Sequence, residues 1–567
     1  MSTAISILGG VGLFLLGMSV MTVGLKALAG SALRTVLAKA AATPWSGTLW
    51  GAVATLIVQS SSATTMTTIG LVSAGLLTFP QGLGLVFGAN VGTTGTGWLV
   101  ALIGVRVSLT SAALPMIFVG AMAKLLGRGR ISGAGAALAG FGLVLFGLST
   151  LQEGMGGLAE RLHPEDLPAI LASPDTGWWR GAIGLLVLVA AGLAMTALMQ
   201  SSTAAIALTL SAHFAGAVGL DQGCALIIGQ NIGTATSSAM AAIGASTTAK
   251  RLAIAYVLFK LIAALIALAV FPVVTPLLVR ASHTVDGVTL LAAYHTAYNV
   301  VGVAVLMPVL DRFTRLVELL LPERGSPLTR CLDPSALALP IAAVEAVRRT
   351  IARALTAVCG SVEATLSGRG ATAPSERDAA TISQAADALR QAQIFMSEVD
   401  GPPDSEDEQQ RLTGTLHALD HASRLAEAAR EGSDFGAQGT HPGDARAVQL
   451  CAEAMRHAAA IAREIATLPE GHPHPAPLAP NSEAAVVPDT APAVRAMSAV
   501  QTLGQLQYCA KALAELRRGH RSETLAAAAN GTLTAGDAIA RVEGVRILEA
   551  LVHHAWRSAA HLVGGAE

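Results

Sequence analysis

Two long stretches of this chain are almost free of ionisable residues. From Ala40 to Val105 there is no Asp, Glu, Lys, Arg or His, and from Gly181 to Ala249 only His213 and Asp221 interrupt. Apolar runs of this length are membrane-spanning in character, since about 20 apolar residues suffice for one helical crossing. The pattern predicts spans near residues 4–25, 47–77, 82–104, 108–126, 133–151, 181–214, 222–246, 252–279 and 288–310. Beyond about residue 335 the character changes. Ala, Glu and Arg recur there with helical spacing, which predicts amphipathic helices rather than crossings. The expected organisation is an all-α chain: membrane repeats at 1–130 and 131–315, a Pro-punctuated linker at 316–340, and a helical-bundle domain at 341–567 with an internal Pro- and His-rich linker at about 468–493.

Polar residues inside the apolar runs are the second signal. Eight of the ten residues from Gln59 to Thr68 are polar. An unsatisfied polar group in hydrocarbon costs on the order of several kcal/mol, so such a cluster packs against protein or lines a polar cavity. The cluster Gln59-Ser60-Ser61-Ser62 returns as Gln200-Ser201-Ser202-Thr203. Each copy is followed by a Gly/Asn element, Gly88-Ala89-Asn90-Val91-Gly92-Thr93-Thr94 and Gly229-Gln230-Asn231-Ile232-Gly233-Thr234. Gln59 to Asn90 is 31 residues, and Gln200 to Asn231 is also 31. Close packing of Ser, Thr and Gly between helices accounts for single small residues. It does not account for bulky Gln and Asn recurring at fixed positions. Each Gln-Ser-Ser is expected to mark a helix break or re-entrant hairpin. Gly88, Gly92, Gly95 and Gly97 are expected to interrupt the helix that carries Asn90, because glycine is a poor helix former.

Charge placement predicts the topology. Lys26, Arg34 and Lys39 follow the first span, Lys124, Arg128 and Arg130 the fourth, and Lys250 and Arg251 the seventh, so these ends are read as cytoplasmic. Residues 12–19 echo residues 142–149 in the opposite orientation, which predicts inverted repeats with a site between them near mid-membrane. The acidic stretch 153–180 is then extracytoplasmic, and Lys260 is expected to snorkel toward an interface.

Composition narrows the function further. The formal net charge of −1 comes without a basic stripe interleaved with aromatics, which speaks against a nucleic-acid partner. The five cysteines show no CxxC or metal spacing and suit a reduced cytosolic side. The first apolar run lacks a basic leader and is read as a retained helix. No P-loop, nucleophile elbow or zinc signature points to an enzyme.

The paired Gln-Ser-Ser and Gly-x-Asn-x-Gly-Thr motifs resemble the sodium/phosphate cotransporter family over about residues 5–315. The resemblance implies a multi-pass protein of the cytoplasmic membrane with inorganic phosphate as substrate, Na+ as coupling ion, and the C-terminal part in the cytoplasm. Phosphate is an anion usually held by Arg or Lys, and neither motif region contains one. Helix N-termini at the breaks supply roughly half a positive charge each. Hydroxyls and amides add donors, and a hard cation bound by side-chain and carbonyl oxygens would bring the remaining charge. Ser60, Ser61, Ser62, Ser201, Ser202 and Thr203 are the candidate phosphate contacts. Gln59, Asn90, Thr93, Thr94, Gln200, Asn231 and Thr234 are the candidate sodium ligands. In the C-terminal part, Leu416–Ala422 and Glu549–Trp556 resemble the Glu-x-x-x-Asp-His-Ala signature of the PhoU family, with Leu416 in place of the Glu and His553 in place of the Asp. That resemblance implies two stacked three-helix bundles and leaves metal binding unknown, and the direct fusion of this part to the last span leads to the expectation that it restrains transport. A membrane-anchored phosphate sensor and a carrier of another oxyanion are the alternative readings, and a homodimer is compatible with all three.

Overall fold

The structure, a computed structural model, describes residues 2–40, 42–103, 109–170, 177–243, 246–322, 326–337, 339–367, 376–399, 405–431, 442–467 and 491–564. Every regular element among these residues is a helix. The chain divides into two compact units, one of residues 1–72 and 77–323, the other of residues 73–76 and 324–567.

The first unit holds α1 (Ser2–Ala40), α2 (Pro44–Val58), α3 (Ser61–Ser73), α4 (Phe79–Ile103), α5 (Leu109–Leu126), α6 (Arg130–Ala159), α7 (Trp178–Met199), α8 (Ser202–Phe214), α9 (Leu220–Ala241), α10 (Thr247–Ala281), α11 (Gly287–Leu306) and α12 (Leu310–Leu320). Thr3–Ala29, Phe79–Leu102, Arg130–Ala159, Trp178–Met199 and Thr247–Ala281 are long and apolar enough to cross a membrane. Leu8, Phe118, Leu125, Trp179, Leu198 and Val273 stand exposed on this unit. Surface this apolar is what a bilayer covers. The first helix does not stop near residue 25 as its hydropathy suggests. It continues through Lys26 and Arg34 to Ala40.

The predicted interruption of α4 is absent: the helix runs unbroken through Gly88, Gly92, Gly95 and Gly97. The glycines serve contact instead of flexibility. A methyl group on Gly84, Gly88 or Gly92 would overlap the carbonyl oxygen of Pro44, Thr48 or Ala52 on α2, and one on Gly51 would overlap that of Leu85 on α4. Close backbone approach between apolar helices offsets the roughly 1 kcal/mol that each glycine costs in a helix. The pair α7 and α9 repeats this interface at the offset between the two Gln-Ser-Ser copies (200 − 59 = 141). Gly229 meets Val189, Gly192 meets Leu226 and Gly233 meets Leu193, matching Gly88 with Thr48, Gly51 with Leu85 and Gly92 with Ala52.

Helices α1 and α6 lie antiparallel, also on glycines. Gly10 abuts Leu151, Gly17 abuts Val144 and Gly24 abuts Ala137. The reciprocal contacts come from α6, where Gly140 abuts Met21 and Gly147 abuts Phe14. The sequence echo (142 − 12 = 130) carries each contact onto its reciprocal: Gly10 with Leu151 becomes Gly140 with Met21, and Gly17 with Val144 becomes Gly147 with Phe14.

The second unit holds α13 (Pro334–Leu337), α14 (Pro340–Ser367), α15 (Glu376–Ser397), α16 (Glu406–Glu431), α17 (Pro442–Thr467), α18 (Ala491–Ala529) and α19 (Ala535–Val563). Helices α14, α15 and α16 pack on one another, as do α17, α18 and α19, and the two trios meet through α14 on α17 and α16 on α19. The expected linker falls mostly on residues 468–490, outside the described residues. It does not divide two helical groups as the sequence suggested, because α17 before it and α18 after it belong to one trio. Buried Asp444 ties that trio together: it accepts from the ring of His520 on α18 (2.6 Å) and from Arg541 Nε on α19 (2.9 Å). The five cysteines are buried free thiols.

The segments Leu416–Ala422 and Glu549–Trp556 face each other on α16 and α19. His421 Nδ1 lies 3.1 Å from His554 Nδ1, and the rings of His553 and His561 are centred 6.0 and 5.9 Å from that of His421. Among the described residues no three His, Cys, Asp or Glu side chains converge as a metal site. Burial, then the neighbouring His554, pushes His421 down to about 4, and burial, then His553, pushes His554 below its ordinary range. The folded form therefore holds neutral rings, while the unfolded chain takes up protons near the ordinary 6.5. The stabilisation is complete above about pH 6.5 and is lost as pH falls through about 4. Thermal denaturation of the full chain is expected to show a falling midpoint for this unit between pH 7 and pH 5 (a range set by those titrations). His421→Asn is expected to flatten that slope; an unchanged slope would remove the cluster as its cause.

Candidate functional site

Helix α2 ends because Gln59 adopts the left-handed region, at φ 56° and ψ 31°. Helix α7 ends the same way at Gln200, at φ 51° and ψ 24°. These are the two described non-glycine residues with positive φ. The conformation costs roughly 1–2 kcal/mol in a residue with a Cβ, so the surroundings hold it in place. They do so identically in both copies. Gln59 Nε2 donates to the carbonyl of Leu56, and Gln200 Nε2 to that of Ala197, satisfying a carbonyl in the helix's last turn. Gln59 Oε1 accepts from Thr96 Oγ1 on α4 (2.6 Å), and Gln200 Oε1 from Ser237 Oγ on α9 (2.8 Å). Each glutamine thus braces a helix break against the helix carrying the Asn motif.

The next helix starts immediately. Ser60 Oγ accepts from the Ala63 N–H (3.2 Å) and Ser201 Oγ from the Ala204 N–H (3.3 Å), capping α3 and α8. The N–H groups of Ser61 and Ser62, and of Ser202 and Thr203, have no partner within their helices. Each copy therefore presents a helix N-terminus, free first-turn amides and adjacent hydroxyls, which is the donor set an oxyanion requires. Ser60, Ser61, Ser201, Ser202 and Thr203 are half-buried, while Ser62 and Gln200 are exposed.

Asn90 and Asn231 lie buried at equivalent places on α4 and α9. Asn90 Nδ2 donates to Val86 O (2.9 Å) and Asn231 Nδ2 to Ile227 O (3.0 Å), which leaves the amide oxygens to face outward from their helices. Thr93 Oγ1 donates to Ala89 O, Thr94 Oγ1 to Val91 O and Thr234 Oγ1 to Asn231 O. Among the described residues no hydrogen bond joins the first Gln-Ser-Ser to the second. Each copy is assembled with its own Asn helix, and α10 and α11 pack against both α4 and α9.

Those two helices bring residues that the motif spacing does not reveal. Lys260 on α10 is only 2% exposed, which rules out the snorkelling expected of it. Its Nζ donates to Asn231 Oδ1 (3.2 Å), and Asn299 Nδ2 on α11 donates to the same oxygen (3.3 Å). Tyr256 OH donates to Thr234 Oγ1 (3.2 Å). The second motif region thus acquires a Lys that its own sequence lacks. The buried Asn299 Oδ1 and His295 Nδ1 have no hydrogen-bond partner among the described residues. The available signal is a Lys in the apolar interior of a 35-residue helix, well past Lys250 and Arg251 in its first turns, together with His295 and Asn299 one turn apart on α11.

One difference between the copies is a hydroxyl pair present only in the first. Thr55 Oγ1 donates to Thr64 Oγ1 in the first (2.9 Å). In the second, Ala205 stands where the offset puts Thr64, and the buried Thr196 hydroxyl has no partner. Thr196→Val is expected to leave stability unchanged or raise it by about 1 kcal/mol, whereas Thr55→Val should lower it by about the same amount or more. Melting midpoints of the two variants, measured side by side, check this.

The family model described as Na+/Pi-cotransporter matches residues 13–153 and 184–283. The chain is 29% identical over 311 residues to a Bacillus subtilis (strain 168) protein named "Uncharacterized protein YqeW", spanning 55% of this chain and 96% of that one. It is 29% identical over 358 residues to the "Putative inorganic phosphate export protein YjbB" of Escherichia coli (strain K12), where the match covers 62% of this chain and 63% of the relative. The Salmonella typhimurium protein of the same name is similar to the same degree. No solved structure matches the chain.

Proposed function

From the membership of its membrane unit in the Na+/Pi-cotransporter family, we propose that this protein is a sodium-coupled carrier of inorganic phosphate, built from two inverted repeats. The observation that carries the reading is the duplicated helix break. Two glutamines in left-handed conformation, each braced to an Asn-bearing helix at one sequence offset, hold two helix N-termini open. A carrier with a site shared by two repeats needs both copies, whereas a receptor needs one. The reciprocal glycine contacts of α1 and α6 support the inversion, since a two-fold axis across the bilayer normal produces antiparallel, self-complementary packing.

In this reading Ser60, Ser61, Ser62, Ser201, Ser202 and Thr203 bind phosphate through hydroxyls and first-turn amides. Asn90, Thr93 and Thr94 bind sodium, Gln59 and Gln200 hold the breaks, and Asn231 and Thr234 form the second half of the cation region. The protein sits in the cytoplasmic membrane, with the helical unit in the cytoplasm restraining flux. A symporter runs in whichever direction the summed gradients dictate, so a relative named for export is compatible with it.

Labelled-phosphate flux into proteoliposomes under an imposed sodium gradient, with potassium as control, tests the proposal. Sodium-dependent flux is the expected result. Phosphate binding without flux under either gradient would replace the carrier by a sensor. Flux competed away by sulfate or arsenate at lower concentration than phosphate would change the substrate.

A further inference from the structure

We propose that Lys260 is a resident cation standing in for a coupling sodium at the second repeat, so that sodium binds at Asn90 in the first repeat alone. The inference rests on the carrier reading and sharpens it, since it turns a two-fold framework into an electrostatically one-sided machine.

Three observations carry it. The surroundings of Lys260 Nζ are those of a bound cation: the Asn231 amide oxygen at 3.2 Å and the rings of Tyr256 and Phe259, centred at 5.5 and 5.9 Å. Carbonyl oxygens and π faces attract positive charge. No carboxylate lies within ion-pair distance of Lys260 among the described residues, so the charge is uncompensated by the protein. A buried charge without a counter-ion is costly, and an anion arriving nearby relieves that cost.

The two second-copy oxygens that correspond to the sodium ligands of the first, on Asn231 and Thr234, are already engaged. Asn231 Oδ1 accepts from both Lys260 and Asn299, and Thr234 Oγ1 accepts from Tyr256 while donating to Asn231 O.

The first repeat differs at just this point. The bond from its amide to Val86 is the one the Asn90 side chain makes among the described residues, so Asn90 Oδ1 remains open. No Lys or Arg lies from Ala40 to Val105, and α5 carries no cation before Lys124 in its last turn. One copy of the motif keeps a vacant carbonyl oxygen, and the other has been given an ammonium. Glutamine, serine and asparagine are duplicated, but the charge is not.

The test is phosphate flux in proteoliposomes against sodium concentration, together with equilibrium binding of radioactive sodium to the purified full-length protein. Native protein is expected to show a Hill slope of about 1 and one sodium per chain, because one site binds. Lys260→Ala, which empties the space and frees Asn231 Oδ1, is expected to cut flux at the native half-saturating sodium by about a hundredfold, as losing a preorganised charge does. Its slope should move toward 2 as a second sodium enters, the limit set by two sites. Lys260→Arg, which keeps the charge, should retain the native slope.

Should Lys260→Ala fail to yield monodisperse protein, Asn231→Asp serves instead. Its carboxylate neutralises the ammonium in place, and flux should fall comparably. A Lys260→Ala variant, or failing it an Asn231→Asp variant, with native flux and native slope would overturn the inference, as would two bound sodium ions in native protein. Native protein that moves no phosphate with sodium would overturn the carrier reading itself, and that outcome is recognised in the native arm before any variant is compared.

Discussion

Gln59→Ala and Gln200→Ala are each expected to reduce sodium-dependent phosphate flux by about a hundredfold, the scale on which a small misplacement of binding groups acts. Each glutamine does two separable things. Its backbone turns the chain through the left-handed region, which any residue with a Cβ adopts at a cost. Its side chain reaches back to a carbonyl of the helix it ends and across to a hydroxyl of the Asn-bearing helix. Alanine keeps the strain and loses both bonds. Glycine relieves the strain and loses the same bonds. Gln59→Gly and Gln200→Gly should therefore melt at or above the alanine variants yet remain as poor in flux. If glycine restored flux, the turn alone would matter and the brace would not. If alanine at either position retained flux within a few-fold of native, the site would not be shared by the two repeats.

Much of this candidate site is legible in the chain because its chemistry is out of place there. A Gln followed by three hydroxyl residues in an apolar run predicts a break, and both breaks lie where the repeats put them, between Val58 and Ser61 and between Met199 and Ser202. The 31-residue spacing to Asn90 and Asn231 becomes a physical link through Thr96 and Ser237, which the motif reading passed over. The continuity of α4 was not legible. Intrinsic propensity counts each glycine against the helix, while the compensating contact with α2 exists only after folding. The burial of Lys260 is not legible for a related reason. A Lys in the apolar interior of a helix reads as a residue reaching for the interface, and nothing local says that Asn231, on another helix, meets its Nζ.

The same logic applies to the second unit. Residues 468–493 read as a divider because they are rich in Pro and His, but the helices on either side associate through tertiary contacts that no local composition encodes. Where Leu416–Ala422 and Glu549–Trp556 resemble each other in sequence, the structure brings their histidines together. The residues were identifiable, but their meeting was not, because it depends on how α16 and α19 lie against each other.

The largest effect on folding is expected at Gly88 and Gly229. In a membrane the hydrophobic effect does not hold helices against one another, so packing at close approach carries the association. The Cα of Gly88 faces the Thr48 carbonyl, and that of Gly229 faces the Val189 carbonyl, with no flexible side chain between that can yield. A methyl group there must move a helix backbone. Overpacking costs typically about 1–3 kcal/mol when side chains absorb it, and more when they do not. Gly88→Ala and Gly229→Ala are therefore each expected to lose most of the monodisperse protein recovered in detergent. Gly9→Ala and Gly12→Ala, where nothing lies within 4 Å of the added methyl, provide the contrast. They should be recovered normally and gain up to about 1 kcal/mol from better helix propensity. The two damaging substitutions should also resemble each other in severity, because three glycine contacts of the interfaces they break, including their own, match at one sequence offset. A mild Gly229→Ala beside a severe Gly88→Ala would mean that α7 and α9 can part where α2 and α4 cannot, and the equivalence of the repeats would then hold for the contacts but not for the energy they carry.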